Sequence, residues 1–245
     1  MAWLNKIIAR SKFLKEFYNR YEDYKVYLVD GEQIRNISPD LNYFANFAIY
    51  VDIKDIPEDE IWIDGNLDEI EKFFAVATAV YELNKIKSEG PKKAHISALN
   101  YNKKIREIVD NVKHKPEDTN EPPPKEVYLG KYGVINSEKI IVWIVDGRIV
   151  RDLFHCDFQD GGSDFSYKWI PNNEIWIENV IREKEIPCII LHEVVERFLM
   201  KHKQYSYTKA HDIASSVEFR ARNKNISKEN ILNINLTHLI KGEKL

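Results

Sequence analysis

"IPNNEIWIENVIREKEIPCIILHEVVERFLM", residues 170–200, decides how the chain is read. It opens on a proline turn and runs into Ile175-Trp176-Ile177, a β-branched and aromatic run that reads as a strand. It closes on a helical stretch with Cys188, Ile189, Ile190, Leu191, Val194, Val195, Phe198 and Leu199 spread around most of its circumference. A helix that is apolar nearly all round is buried. This one also carries His192, Glu193 and Glu196. His192 and Glu196 are four residues apart and share a face, and Glu193 lies about 100° further round the axis. A buried imidazole and a buried carboxylate need partners, because unpaired burial of polar groups is costly. A divalent cation would supply one.

Working outward, the strand motif occurs twice. IPEDEIWID fills residues 56–64 and IPNNEIWIE residues 170–178. Upstream stand VYLVDGEQIRNI (26–37) and VWIVDGRIVRDL (142–153), and downstream come Ala94-His95 and Ala210-His211. The offset stays between 114 and 116 residues, in the same order, over most of each half. That is an internal duplication. Between the copies, KHKPEDTNEPPPKE (113–126) is charged, proline-rich and free of large apolar residues, which reads as a linker. The expected organisation is an N-terminal amphipathic helix over 1–24, packing through Trp3, Leu4, Ile7, Ile8, Phe13, Leu14 and Phe17, with membrane-surface contact as an alternative. A degenerate repeat over 25–112, the linker over 113–126 and a second repeat over 127–245 follow. Each repeat reads as α+β: several antiparallel strands, with Asp30-Gly31 and Asp146-Gly147 as tight hairpin turns, and then two helices. The second repeat adds SKENILNINLTHLIKG (227–242), a helix capped by Ser227 and stopped at Gly242.

Aligned by the duplication, the two copies differ where polar chemistry is possible. His192 falls on Thr78, Glu193 on Ala79 and Glu218 on Asn102, whereas Glu196 keeps Glu82 and His211 keeps His95. The first copy keeps the scaffold and loses most of the polar set. His192, Glu196 and His211 offer two imidazoles and a carboxylate, and three protein ligands with an open fourth position make a catalytic zinc arrangement. Glu218, seven residues after His211 on the same helical face, would support the ligands or join them. Glu193 stands where HExxH helices keep the general base that deprotonates a metal-bound water. Plainer readings exist for the same residues: Glu193 and Arg197 as an exposed i,i+4 ion pair, His211 as an ordinary histidine near a helix cap, and His202 facing solvent.

The order EIWIEN, IPCIILHEVVERFLM and then YTKAHDIA resembles the zincin-type metallopeptidase core, and specifically the small IrrE/ImmA-like peptidases. It is also similar to a group of phage and microbial proteins with a GG…EIWI…HExxE…AH pattern. The resemblance covers roughly residues 140–222, and more weakly 26–106. It implies that His192, Glu196 and His211 are metal ligands and that Glu193 is the base. Glu196 departs from the family pattern, which has a second histidine there. A carboxylate neutralises more of the cation's charge, leaves bound water less acidic and admits Mn²⁺ or Fe²⁺ alongside Zn²⁺.

Composition narrows the field. The 245 residues suit one large domain or two small ones, and 44% hydrophobic residues suffice for a normal core. A net charge of −3 with 31% charged residues argues against a dedicated nucleic-acid binder. Cys156 and Cys188 make neither a disulfide framework nor a metal-type pair, which favours a reducing, cytoplasmic setting. No apolar run reaches the roughly 20 residues of a membrane span, and no Walker loop, dinucleotide-binding glycine pattern or nucleophile elbow occurs. HCDFQDGGSDF (155–165) reads as a polar loop that could rim a cleft. The expected function is a metal-dependent hydrolase acting on a peptide or protein substrate. The alternative is a non-catalytic structural or binding protein of phage or viral type, its metal structural or absent.

Overall fold

The duplicated EIWI segments each form the strand around which a sheet is built. The computed structural model describes residues 14–37, 41, 44–116, 119, 121–222, 224 and 226–236. The chain divides into two units, residues 1–114 and 115–245. In the first, strands β1 (Leu14–Tyr21), β2 (Tyr24–Val29), β3 (Phe47–Ala48) and β4 (Glu60–Asp64) assemble in the order β1-β2-β4-β3. A short helix α1 (Gly31–Arg35) lies between β2 and β3, and the long helices α2 (Glu69–Glu89) and α3 (Pro91–Val109) follow β4. The second unit repeats this plan with β5 (Tyr128–Ile135), β6 (Ile140–Val145), α4 (Gly147–Leu153), β7 (Gly161–Ser163), β8 (Glu174–Glu178), α5 (Ile186–Lys203) and α6 (Tyr207–Arg222). Its sheet order is β5-β6-β8-β7, and a short helix α7 (Lys228–Leu232) is added at the end.

The α+β class and the tandem repeat hold, but the sheets are mixed and not antiparallel. β2 runs parallel to β4 with Tyr27 opposite Trp62, and β6 runs parallel to β8 with Trp143 opposite Trp176. The Val-Asp-Gly segments are therefore not hairpin turns. Asp30 and Asp146 are helix N-caps, accepting from the backbone N–H of Gln33 and Ile149. Either use suits Asp-Gly after a strand; what decides is that the next strand pairs elsewhere, so the chain must turn into a crossover. The glycines are needed for space and not for a positive φ. A Cβ on Gly31 would overlap the Asp64 carboxylate, and one on Gly147 the Glu178 carboxylate.

The helix expected over 1–24 does not form over its described part, residues 14–24. Residues 14–21 are the edge strand β1, paired with β2 through a two-residue turn in which Glu22 has φ 53°. Phe17 meets Tyr27 edge-on across the pair, with ring centroids 5.7 Å apart. Helical spacing of Leu14 and Phe17 is outweighed here by pairing with the open edge of β2. Trp3, Leu4, Ile7, Ile8 and Phe13 lie outside the described residues. The division between the units falls inside the linker expected over 113–126, after His114, and the Lys115 N–H donates to the Leu153 carbonyl at 2.7 Å. Ser227 caps α7 as expected, but that helix ends at Leu232 and not near Gly242, which lies outside the described residues.

The period-two alternation of the EIWI strands divides each sheet's faces. In the second unit, Ile175 and Ile177 pack under α5 and α6, while Trp176 joins Val145, Val150, Phe154, Phe158 and Trp169 on the opposite face. In the first unit Trp62 lies with Val29, Ile34, Phe44 and Ile56. One difference stands out. In the second unit Ile231, Ile234 and Leu236 join the core formed by Ile135, Ile190, Val194, Val195 and Val217. The matching positions of the first unit, Tyr21, Val76, Val80, Tyr81 and Tyr101, line an open cleft of about 290 Å³. Among the described residues, no helix is long and apolar enough to cross a membrane.

Candidate metal centre

Two antiparallel helices build the site. Pro187 lies in the first turn of α5, where a missing N–H is harmless, and Gln204 ends it in the left-handed conformation at φ 53°. The chain then returns through α6, which brings His211 beside the middle of α5. His192 Nε2 lies 3.2 Å from His211 Nδ1 and 3.6 Å from Glu196 Oε2, and His211 Nδ1 lies 3.0 Å from Glu196 Oε2. The sequence expectation that His192, Glu196 and His211 converge is met in geometry. An ion with ligands at about 2.0–2.2 Å in tetrahedral array sets ligand–ligand edges of about 3.3–3.6 Å. One of the three separations reaches that range and two are slightly shorter, and the group could hold a metal ion.

Glu218 takes the supporting position. Its Oε2 lies 3.0 Å from His192 Nδ1 and can accept an N–H from it, while Nε2 faces Glu196 and His211. Its Oε1 accepts from Arg222 at 2.6 Å, and Arg222 also donates to Glu185 Oε1 at 2.6 Å. Such a carboxylate behind a histidine fixes the tautomer and the ring's orientation. Glu193 is buried, and its Oε2 has no hydrogen-bond partner among the described residues. The exposed Glu193–Arg197 pair considered as an alternative is not formed. Arg197 is buried and donates to Asp164 at 2.6 and 3.2 Å and to Asn173 at 3.0 Å. His202, 40% exposed, faces Glu138 at 3.4 Å.

Electrostatics separate the two carboxyls of α5. Burial first, and the nearby Glu196 carboxylate second, push the Glu193 carboxyl well above the ordinary range. Burial works against charge on Glu196 too, but hydrogen bonds with His192, His211 and Ser166 hold that carboxyl down. Burial likewise disfavours a charged His192, yet the carboxylates of Glu196 and Glu218 raise its pKa well above that of a free imidazole. Tyr207 stacks on His211 at 5.5 Å, and burial together with Glu196 and Glu193 raises its hydroxyl.

Sequence reasoning missed several neighbours. Part of the 155–165 loop is the edge strand β7, and just beyond it Ser166 Oγ donates to Glu196 Oε1 at 2.6 Å. Asp160 lies within electrostatic reach of Glu193. The signal was available in the repeat itself: Arg197 falls on Leu83 and Ser166 on Asp52, so these positions also change between the copies.

The first unit holds the counterpart. Arg106 bonds Glu71 at 2.8 and 2.9 Å and Asn102 at 2.6 Å, just as Arg222 bonds Glu185 and Glu218. Asn102 donates to Thr78 at 2.5 Å where Glu218 meets His192. His95 and Glu82 remain paired at 3.2 Å. The arginine brace belongs to the fold, whereas the His192–Glu193–Glu218 set belongs to the second unit alone. Comparison with protein-family models, curated proteins and solved structures gives no significant match.

Proposed function

We propose that the protein is a metal-dependent hydrolase of peptide bonds, related in mechanism to the zincin type, with its active site in the second unit. The observation that carries this reading is the group of His192, Glu196 and His211 beside the buried carboxyl group of Glu193, one oxygen of which has no hydrogen-bond partner among the described residues. A divalent cation, Zn²⁺ or Mn²⁺ or Fe²⁺, supplies Lewis acidity there when bound. His192, Glu196 and His211 hold it, and Glu218 keeps the His192 lone pair aimed. Glu193 Oε2 accepts the proton of the attacking water and returns it to the leaving amine. A neutral residue at 193 would hold the same volume and do neither.

The second reading is a non-catalytic protein of structural or binding type, in which the cluster is closed by protons. It draws on the 3.0 and 3.2 Å separations at His211 Nδ1, which also suit hydrogen bonds. Elemental analysis of protein purified without a polyhistidine tag separates the two. The hydrolase reading expects about one equivalent of metal, lost on His211→Ala. Casein hydrolysis with each metal in turn then tests catalysis. Glu193→Gln should retain metal and melting temperature while lowering the rate by about 10²–10⁴-fold. A metal-free wild type, or an equally active Glu193→Gln, removes the corresponding part of the proposal.

A further inference from the structure

We infer that Ser166 is a positioning residue that holds Glu196 as a one-oxygen ligand, so that a cation in the cluster keeps an open coordination position. This rests on the metal reading above.

Glu196 has two oxygens with different surroundings. Oε2 faces His211 Nδ1 at 3.0 Å and His192 Nε2 at 3.6 Å. Oε1 accepts the Ser166 hydroxyl at 2.6 Å, in the short range of a hydrogen bond to an ionised acceptor. That bond engages one lone pair of Oε1 and restrains the plane of the carboxylate, which favours coordination through Oε2. A chelating carboxylate would also fill the position that water and substrate require in a catalytic site.

The hydroxyl is held in place from the backbone. The Ser166 and Tyr167 N–H groups both donate to the Ser163 carbonyl, at 3.0 and 2.9 Å. Asp164, two residues before Ser166, receives both bonds of the Arg197 fork. Arg197 is the residue after Glu196. The serine and the ligand it restrains are therefore anchored to the same turn of α5.

The first unit serves as the control. Its equivalent turn has the same backbone bonds, with the Asp52 and Ile53 N–H groups donating to the Ile49 carbonyl at 3.0 and 3.1 Å. The residue at the serine's position is Asp52, a carboxyl group that accepts the Ile49 N–H at 3.0 Å. The residue at the arginine's position is Leu83. The turn and sheet thus form without a hydroxyl donor or an arginine clamp. Both occur in the unit that brings two histidines and a glutamate together.

The test uses cobalt(II) as the probe on the full chain, because its visible absorption weakens several-fold as coordination rises from four to five or six. Wild type and Ser166→Thr should share an intense four-coordinate spectrum. Ser166→Ala should give a weaker, shifted spectrum and altered cobalt affinity, with the metal-free melting temperature close to wild type. Identical spectra and affinities for wild type and Ser166→Ala overturn the positioning role while leaving the metal site standing. Absence of cobalt binding by wild type overturns the metal reading, and this inference with it. Loss of the spectrum in Ser166→Thr as well as Ser166→Ala would show that packing at 166, and not the hydroxyl, sets the geometry, which also overturns it.

Discussion

His192 has a partner on each ring nitrogen, and the two sides do different work. Glu218 on Nδ1 governs orientation, while Nε2 faces Glu196 and His211. Glu218→Gln keeps the volume and one acceptor but removes the charge. Under the metal reading, affinity should fall about 10–100-fold in a chelator competition; an unchanged affinity would reduce Glu218 to a packing role. Cys188 offers a check on burial that is independent of the metal. Burial pushes its thiol up to about 11, so at pH 8 roughly one in a thousand molecules carries the reactive thiolate. Iodoacetamide should modify Cys156 well before Cys188 in the folded protein, and both alike in denaturant, as read by peptide mass mapping. Rapid native labelling of Cys188 would contradict the burial of this end of α5. Gly147 is a third such position. Gly147→Ala drives a methyl group into Glu178, which pairs with buried Arg151 at 2.7 Å. Disrupting a buried ion pair costs about 3–5 kcal/mol, to be measured by urea unfolding. A loss of under about 1 kcal/mol would mean that the pair moves aside freely.

At the scale of elements, α5 and α6 were legible because their signals are local. The apolar girdle of α5, the prolines that open strand turns, and the His211–Glu218 spacing all lie within one helix or one turn. β1 was not legible as a strand, since its pairing partner is chosen by the sheet and not by its own apolar spacing. The parallel pairing of β6 with β8 was hidden for a related reason: about thirty residues separate the strands, and nothing local encodes direction. α7 shows what a short terminal element contributes. Ile231 is fully buried in the core of the second unit. Ile231→Ala should destabilise that unit by about 2–5 kcal/mol, read from a denaturant midpoint, and a neutral result would mean that α7 is not part of the cooperative core.

For the whole molecule, the duplication separates what the fold requires from what one unit adds. Shared by both are the N-capping aspartates, the tryptophans at 62 and 176, whose indole N–H groups donate to Glu60 and Glu174, and the Arg106 and Arg222 braces. Held by the second alone are His192, Glu193, Glu218, Ser166 and the Asp164–Arg197 pair. Under the metal reading, titration of the full chain should saturate at one equivalent and not two, because Thr78 and Asn102 occupy the places of His192 and Glu218. Each unit has its own buried core. A fragment of residues 115–245 should fold by circular dichroism and, under the metal reading, bind metal, whereas residues 1–114 should fold without binding it. Two equivalents in the full chain would overturn this division.

The repeat, its long helices and EIWI strands, and the residues that could act together are readable from the chain alone, since spacing within one helix and comparison between two copies need no third dimension. Only the tertiary structure decided that the sheets are mixed, that Asp-Gly caps a helix, and that Arg197 turns away from Glu193 toward Asp164. It also brought Ser166, thirty residues before Glu196, within 2.6 Å of it. Those outcomes depend on which distant backbone edges and charges meet once the apolar faces are buried. A carboxylate's choice among competing partners is made only after burial has removed water as one of them.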